Sequence, residues 1–456
     1  MTLTGKDIAA AIGGRCLSGA DRRCTGISTD TRTLGQGNLF VALRGESFDG
    51  HAFIHQAIDK GAAGVVVEEG WDGWLQGHIV VEVPDALHAL GSLARAHLAP
   101  LPAARIAITG SNGKTGTKEM AAFALAAYGA VTRTRGNFNN LVGLPLTAFE
   151  VGSTDAFAVF EMGMNRPGEI ARLAEIVQPR VGLVTAVAEA HLEGLGSIDA
   201  VARAKGELYQ ALGKDAVAIV NARDAWCVRA AEGTKARVLR VGVGKGADVS
   251  VEGIRRTGVA GFAATLHLGG KPFDLRLRAL GRHEVWNAAL AVAVLDALGL
   301  DPAAGIAALE RYAGMPGRLA WRVTAAGVNV IDDAYNANPA SMRAALETLA
   351  EVGQGARRIA VLGDMRELGG SAAALHERIG QTAAELDTDV LLAVGSYADE
   401  VARGFGDGVV TAGDCADILD TLTKMVRPGD WVLVKGSHSM HMERAVAALL
   451  GDGGAQ

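Results

Sequence analysis

Residues 109–115 read Thr-Gly-Ser-Asn-Gly-Lys-Thr and follow directly on the apolar run Ile106-Ala107-Ile108. The pattern predicts a buried strand, a glycine turn and a helix over 114–127. Gly110 and Gly113 let the backbone turn tightly, so that successive N–H groups point at one anion. The helix N-terminus adds partial positive charge. Lys114 adds a full charge, and the Thr115 hydroxyl suits Mg²⁺. Gly110, Ser111, Asn112, Gly113, Lys114 and Thr115 are therefore candidates to hold the phosphates of a nucleoside triphosphate. The loop is a shortened variant of the common phosphate-binding pattern, because Ile108 stands where that pattern has its first glycine. A plain β–α turn with a surface lysine is the alternative, and the partners found along the chain weigh against it.

The chain has 456 residues, too many for one ordinary core, which implies two to four domains. A net charge of −6 leaves no basic footprint for nucleic acid. Cys16, Cys24, Cys227 and Cys415 are scattered without a Cys-x-x-Cys pair. They read as reduced thiols of a cytoplasmic protein and speak against zinc. The opening residues carry no apolar signal region, and no apolar run reaches membrane-spanning length.

The first hundred residues read as mixed α/β, with strands at 38–43 and 64–68 and helices at 53–60 and 84–98. Pro100 and Pro102 mark a boundary. Strands at 106–109, 156–161, 182–187 and 216–221 then alternate with helices at 115–128, 167–177 and 198–212, the signature of a parallel sheet wrapped by helices. Antiparallel strands are expected across 248–252, 261–268 and 272–277, then helices at 284–298 and 302–312. Gly314-Met-Pro-Gly317 reads as a second boundary and a hinge. Alternation resumes with strands at 328–332, 358–362, 390–394 and 431–434. The expectation is an α/β protein of three domains, 1–101, 102–314 and 315–456: a smaller N-terminal α/β domain, a central phosphate-loop sheet and a C-terminal Rossmann-like domain.

Several polar residues interrupt this frame. Glu161 ends a strand beside the phosphate loop, where it could hold Mg²⁺ or cap the next helix. His191 lies past another strand at the same sheet edge, as a ligand or a solvated loop residue. Lys205 sits in an apolar helical stripe with Val201, Leu208 and Leu212, where an aliphatic residue is expected. Either it snorkels to the surface, or its neutral amine reacts with CO₂ to give an anionic carbamate. His283 and Asn287 share a helix face and suit either a helix start or a base and ribose. Arg318 follows the hinge, placed for the surface or for phosphates. In Asp332-Asp-Ala-Tyr-Asn-Ala-Asn-Pro339, Asn338 and Pro339 read as N-cap and N1 of a helix. Asp332, Asp333, Tyr335 and Asn336 remain as candidates to meet a ligand.

Together these segments resemble the Mur ligases, over nearly the whole chain. The match uses Asp30-Thr-Arg32, Gly37-Asn-Leu-Phe-Val-Ala-Leu43, Phe48-Asp-Gly-His51, the 109–115 loop, Gly136-Asn-Phe-Asn-Asn-Leu-Val-Gly143, Glu161-Met-Gly163, Ala190-His-Leu-Glu193 and Ala204-Lys-Gly206. It continues through Gly281-Arg-His-Glu-Val-Trp-Asn287, Pro316-Gly-Arg318, residues 332–339, Leu362-Gly-Asp-Met-Arg-Glu-Leu368 and Val434-Lys-Gly-Ser437. The 332–339 and 363–368 stretches are similar to the branch that joins D-alanyl-D-alanine to UDP-N-acetylmuramoyl-tripeptide. Asn38 and His438 depart from the residues usual in the family.

The resemblance implies an ATP-dependent amide ligase of cytoplasmic peptidoglycan synthesis, working through an acyl phosphate as a monomer. It implies that Asn287, Arg318 and Asp333 join the 110–115 loop on ATP. Thr115 and Glu161 would hold one Mg²⁺, and Glu161, His191 and carbamylated Lys205 a second. Lys114, Glu161, His191 and Lys205 would be the catalytic set. Thr31, Arg32, Phe48, Asp49, Gly50 and His51 would bind the uridine part of the acceptor, with Asn137 and Asn140 near its sugar or pyrophosphate. A folylpolyglutamate synthase-like ligase shares the loop and the lysine. A P-loop kinase or NTPase leaves Lys205 and the third domain without a role, and a nucleotide-binding scaffold leaves the ligand set without one.

Overall fold

The structure is a computed structural model that describes residues 2–45, 48–73, 75–189 and 192–451. Three larger sheets follow one another along the chain. The first runs Arg15–Ser18, Ile79–Val83, Gly64–Glu68, Asn38–Val41, Gly26–Ser28, with only Arg15–Ser18 antiparallel to its neighbour. Its helix Ala86–Leu98 is capped by the Asp85 side chain and closes one face with Leu90 and Leu93.

The second sheet has nine strands, with Ala104–Thr109 between Val181–Val184 and Phe157–Glu161. All three are parallel, and Ile108 is registered with both Leu183 and Glu161. Strand alternation divides the core. Ile106 and Ile108 pack beneath the helices Lys114–Leu125 and His283–Ala297, while Ala107 faces Glu169–Val177 and Ile198–Ala211. The expected antiparallel strands form as Val249–Arg256, Phe262–Leu268 and Lys271–Leu277, and they extend this same sheet. The third sheet is parallel except at the edge strand Ala320–Val323. Its two faces carry separate apolar clusters, one with Ala360 and Leu433, the other with Val361 and Val434. Among the described residues no helix is long and apolar enough to cross a membrane.

Two boundaries differ from the periodicity for local reasons. The strand expected over 182–187 ends at Val184. Past it, Thr185 N still donates to Thr109 O (2.9 Å), while its hydroxyl turns to Asn112 O and Asn221 Nδ2 donates to Thr185 O. The strand expected over 328–332 is Asn329–Asp333, which puts Asp333 at the last ladder position.

Two buried polar side chains tie helices to strand ends. The Tyr209 hydroxyl accepts from Val184 N (3.1 Å) and donates to Ile219 O (2.6 Å), pinning adjacent strands. Tyr209→Phe would remove both contacts of the buried hydroxyl, and a loss of about 1–3 kcal/mol is expected in urea unfolding. His376 is buried and accepts from Met365 N (2.9 Å) through Nε2, so Nδ1 carries the proton toward Ala372 O (2.7 Å). Burial holds its pKa below the ordinary 6.5, against the Ala372 hydrogen bond and Asp364. The unfolded chain therefore binds this proton first, and the contribution of His376 is present above about pH 6.5 and lost as pH falls. Urea midpoints measured from pH 7.5 to pH 5 should fall more steeply for the parent than for His376→Gln.

Candidate active site

A cleft of about 1160 Å³ opens where the carboxyl ends of the second and third sheets face each other. Its floor is the 110–115 loop. Gly110 has φ 148°, and a Cβ there would lie 2.0 Å from Thr185 Oγ1. Gly113, at φ 78°, precedes the helix Lys114–Leu125, and a Cβ there would meet Asn287 Oδ1 at 2.7 Å. Both positions thus require glycine for backbone conformation and for space. Ser111 fastens the loop, its N donating to Ala186 O (2.7 Å) and its hydroxyl to Ala188 O (3.1 Å). Lys114 Nζ donates to Gly110 O (2.7 Å), curled over the loop it belongs to. Burial lowers the pKa of its ammonium, and the Glu161 charge works the other way. Thr115 is buried beside it.

Glu161 is buried in the same wall. Asn139 Nδ2 donates to its Oε1 (2.9 Å), whereas Oε2 is a buried oxygen without a hydrogen-bond partner among the described residues. A buried carboxylate oxygen left open in a cleft that Thr115 also lines fits a hard divalent cation. The structure brings Thr115 and Glu161 together on the cleft wall, and His191 lies outside the described residues. Among the described residues no cluster of three or more His, Cys, Asp or Glu side chains is placed to hold a metal.

Lys205 does not snorkel. It is 1% exposed on Ile198–Ala211, packed with Val201 and Leu208, and makes no hydrogen bond among the described residues. Burial, then the Lys114 charge, drives its pKa well below the usual lysine range. Both effects favour the uncharged form of the amine, the form that adds to CO₂.

The opposite wall comes from the third sheet. Asp332 Oδ2 accepts from Gly317 N (3.0 Å) and Asp333 Oδ1 from Leu319 N (3.2 Å), bracing the turn that carries Arg318. The Arg318 guanidinium lies 4.3 Å above the Tyr335 ring. Asp333 Oδ2 pairs with the buried Lys435 Nζ at 2.7 Å, and that ammonium also donates to Asn336 O (2.8 Å). Asp333 lines the cleft, yet both of its oxygens are engaged by its own fold. Asn338 caps the helix Pro339–Val352 as expected, and its Nδ2 also donates to Asn112 Oδ1 (2.7 Å), joining the two walls. Asn287 lines the cleft, held between Thr117 Oγ1 (3.3 Å) and Glu284 Oε2 (3.1 Å).

Asn137 and Asn140 also line the cleft, and Asn140 Oδ1 accepts from Val142 N and Gly143 N. The remaining acceptor candidates are elsewhere, around the first sheet. Thr31 Oγ1 donates to Gln56 Oε1 (2.9 Å). Arg32 pairs with Asp30 at 2.7 Å, which brings the Asp30 carboxyl down to about 2. Phe48 is exposed, while Gly50 N donates to Leu43 O (2.7 Å). Asp49 accepts from His51 Nδ1 (2.6 Å), and His51 Nε2 accepts from Glu68 N (3.0 Å). Sequence reasoning missed Asn139, whose signal was only its place between two candidate asparagines. It also gave no role to Lys118, one helical turn beyond Lys114.

Three family models match: the Mur ligase family catalytic domain over residues 23–98, the Mur ligase middle domain over 108–295, and the Mur ligase glutamate ligase domain over 317–438. The chain belongs to the Mur ligase family. The UDP-N-acetylmuramoyl-tripeptide–D-alanyl-D-alanine ligase of Escherichia coli (strain K12) is 37% identical over 441 residues, covering 96% of each chain. A crystal structure of MurF from Acinetobacter baumannii superposes with a TM-score of 0.90 at 34% identity, covering 99% of both chains. MurF ligase from Thermotoga maritima, solved in complex with ADP, gives 0.83 at 27% identity, covering 93% of this chain and 97% of that one.

In this Mur ligase, Glu161→Gln keeps a donor–acceptor side chain opposite Asn139 but removes the charge. The variant is expected to fold normally by circular dichroism. It should bind Mg²⁺ with a non-hydrolysable ATP analogue about 100-fold more weakly in calorimetric titration. Unchanged binding would take Glu161 out of the site.

Proposed function

We infer that this chain is an ATP-dependent amide ligase that joins D-alanyl-D-alanine to UDP-N-acetylmuramoyl-tripeptide, with release of ADP and phosphate. The observation that carries this reading is the identity to ligases of that name along the whole chain, including the 23–98 segment. The phosphate loop and open carboxylate are consistent with it.

A carboxylate and an amine do not condense in neutral water. Transfer of the γ-phosphoryl group to the tripeptide carboxylate gives an acyl phosphate and ADP. The dipeptide amine then attacks the acyl carbon and loses a proton, and the carbon–oxygen bond to phosphate breaks. Lys114 and the loop N–H groups offset the charge on the transferred group. Arg318 approaches from the facing wall, and the Asp332 and Asp333 braces fix its turn.

Mg²⁺, when bound, supplies further charge neutralisation. Thr115 and Glu161 would hold one ion. Glu161, His191 and a carbamate on Lys205 would hold a second. The carbamate forms as the neutral Lys205 amine adds to CO₂ and releases a proton, and the buried amine without a described hydrogen bond suits that step. The uridine end of the acceptor would meet Thr31, Arg32 and residues 48–51, with Asn137 and Asn140 near its sugar or pyrophosphate. Residues 1–101, 102–314 and 315–456 would act as three domains closing about Gly314–Gly317, in a cytoplasmic monomer.

Phosphate release from ATP should require both the tripeptide and D-alanyl-D-alanine and should match the amide product in stoichiometry. Release without either substrate, or only with a folate-type acceptor, would overturn the assignment. Lys205→Ala should lose at least about 100-fold in turnover and regain part of it with added short carboxylic acids. No rescue in a folded variant would argue against the carbamate.

A further inference from the structure

We propose that Lys118 is a positioning residue of the active site: it supplies the charge that compensates Glu161 while leaving the Oε2 oxygen of that carboxylate open for a divalent cation. This rests on the ligase reading above and concerns a residue outside its phosphate loop and ligand set.

Lys118 lies four residues after Lys114 on Lys114–Leu125 and is 0% exposed. A buried ammonium is costly unless paired. Its Nζ donates to Thr134 O (2.6 Å), pairs with Glu119 Oε1 (2.8 Å), and stands 3.9 Å from Glu161 Oε2. The first two contacts hold the ammonium. The third is too long for a hydrogen bond but well within the range of charge attraction. Glu161 therefore has a nearby cation, yet among the described residues Oε2 has no hydrogen-bond donor on it.

Lys118 also reaches Glu161 through the backbone. Thr134 O accepts from Lys118, and the Thr134 hydroxyl accepts from Glu161 N (3.0 Å). Farther out, Glu119 is shared with Arg133 at 2.7 Å. The charges thus alternate from the surface inward, Arg133, Glu119, Lys118, Glu161. Glu119 restrains the ammonium from closing on Oε2. Released from Glu119, Lys118 can take that oxygen as its own hydrogen-bond acceptor.

The test is Mn²⁺ titration of the full-length protein with a non-hydrolysable ATP analogue, following free Mn²⁺ by electron paramagnetic resonance. Lys118→Met keeps the length of the side chain and removes its charge. It should weaken Mn²⁺ binding at least about tenfold, the scale for residues that support a metal ligand. Half-saturating Mg²⁺ in turnover should rise in proportion, while the KM for D-alanyl-D-alanine stays within about twofold. Glu119→Gln keeps Lys118 but loosens its hold, so that the ammonium can close on Oε2, and should weaken Mn²⁺ binding several-fold; it serves alone if Lys118→Met does not fold. Mn²⁺ affinity within about twofold of the parent in a folded Lys118→Met, or in Glu119→Gln if only that variant folds, would overturn the proposal. A parent protein that binds no metal–nucleotide complex would overturn the ligase reading and this proposal together.

Discussion

The active site depends on how closely two glycines let the phosphate loop approach its neighbours. Gly110 is pressed against Thr185 and Gly113 against Asn287, with no room for a Cβ at either place. That contact couples three elements that are distant in sequence. At the end of its strand Thr185 bonds the strand carbonyl of Thr109 through its N–H and the loop carbonyl of Asn112 through its hydroxyl, and Asn287 is set by Thr117 and Glu284. These bonds fix the loop conformation within the fold itself.

A second constraint is charge pairing away from water. The facing wall carries Lys435 and Asp333 as a buried pair, with Asp333 also holding the turn of Arg318. On the loop side Glu161 is held by Asn139 and approached by Lys118. In both walls a buried charge is matched by an opposite one, and the groups that line the cleft are oriented by that match. Asn112 and Asn338 then join the walls by one amide hydrogen bond.

Much of this was legible one residue at a time. The glycine turn, the helix that follows it, Asn338 as N-cap with Pro339 after it, and the misplaced Lys205 are local patterns, and local patterns survive in a one-dimensional reading. Glu161 was legible because strand ends beside a phosphate loop share one sheet edge. Thr185, Asn139 and Lys118 were not, since each acts through a contact with a residue far along the chain. The double engagement of Asp333 was hidden for the same reason, because Lys435 reaches it only through strand pairing.

The sequence by itself determined the α/β class, the alternation of strands and helices, and the residue types at the phosphate loop, because backbone conformation and hydrophobic period are local properties. Tertiary structure decided which polar groups are already spent within the fold and which remain open. Asp333 has both oxygens taken, Glu161 keeps one without a hydrogen bond among the described residues, and the Lys205 amine is sealed from water. Those differences arise from burial and from neighbours brought together by the sheets, and they separate a group that supports the site from one available to a ligand.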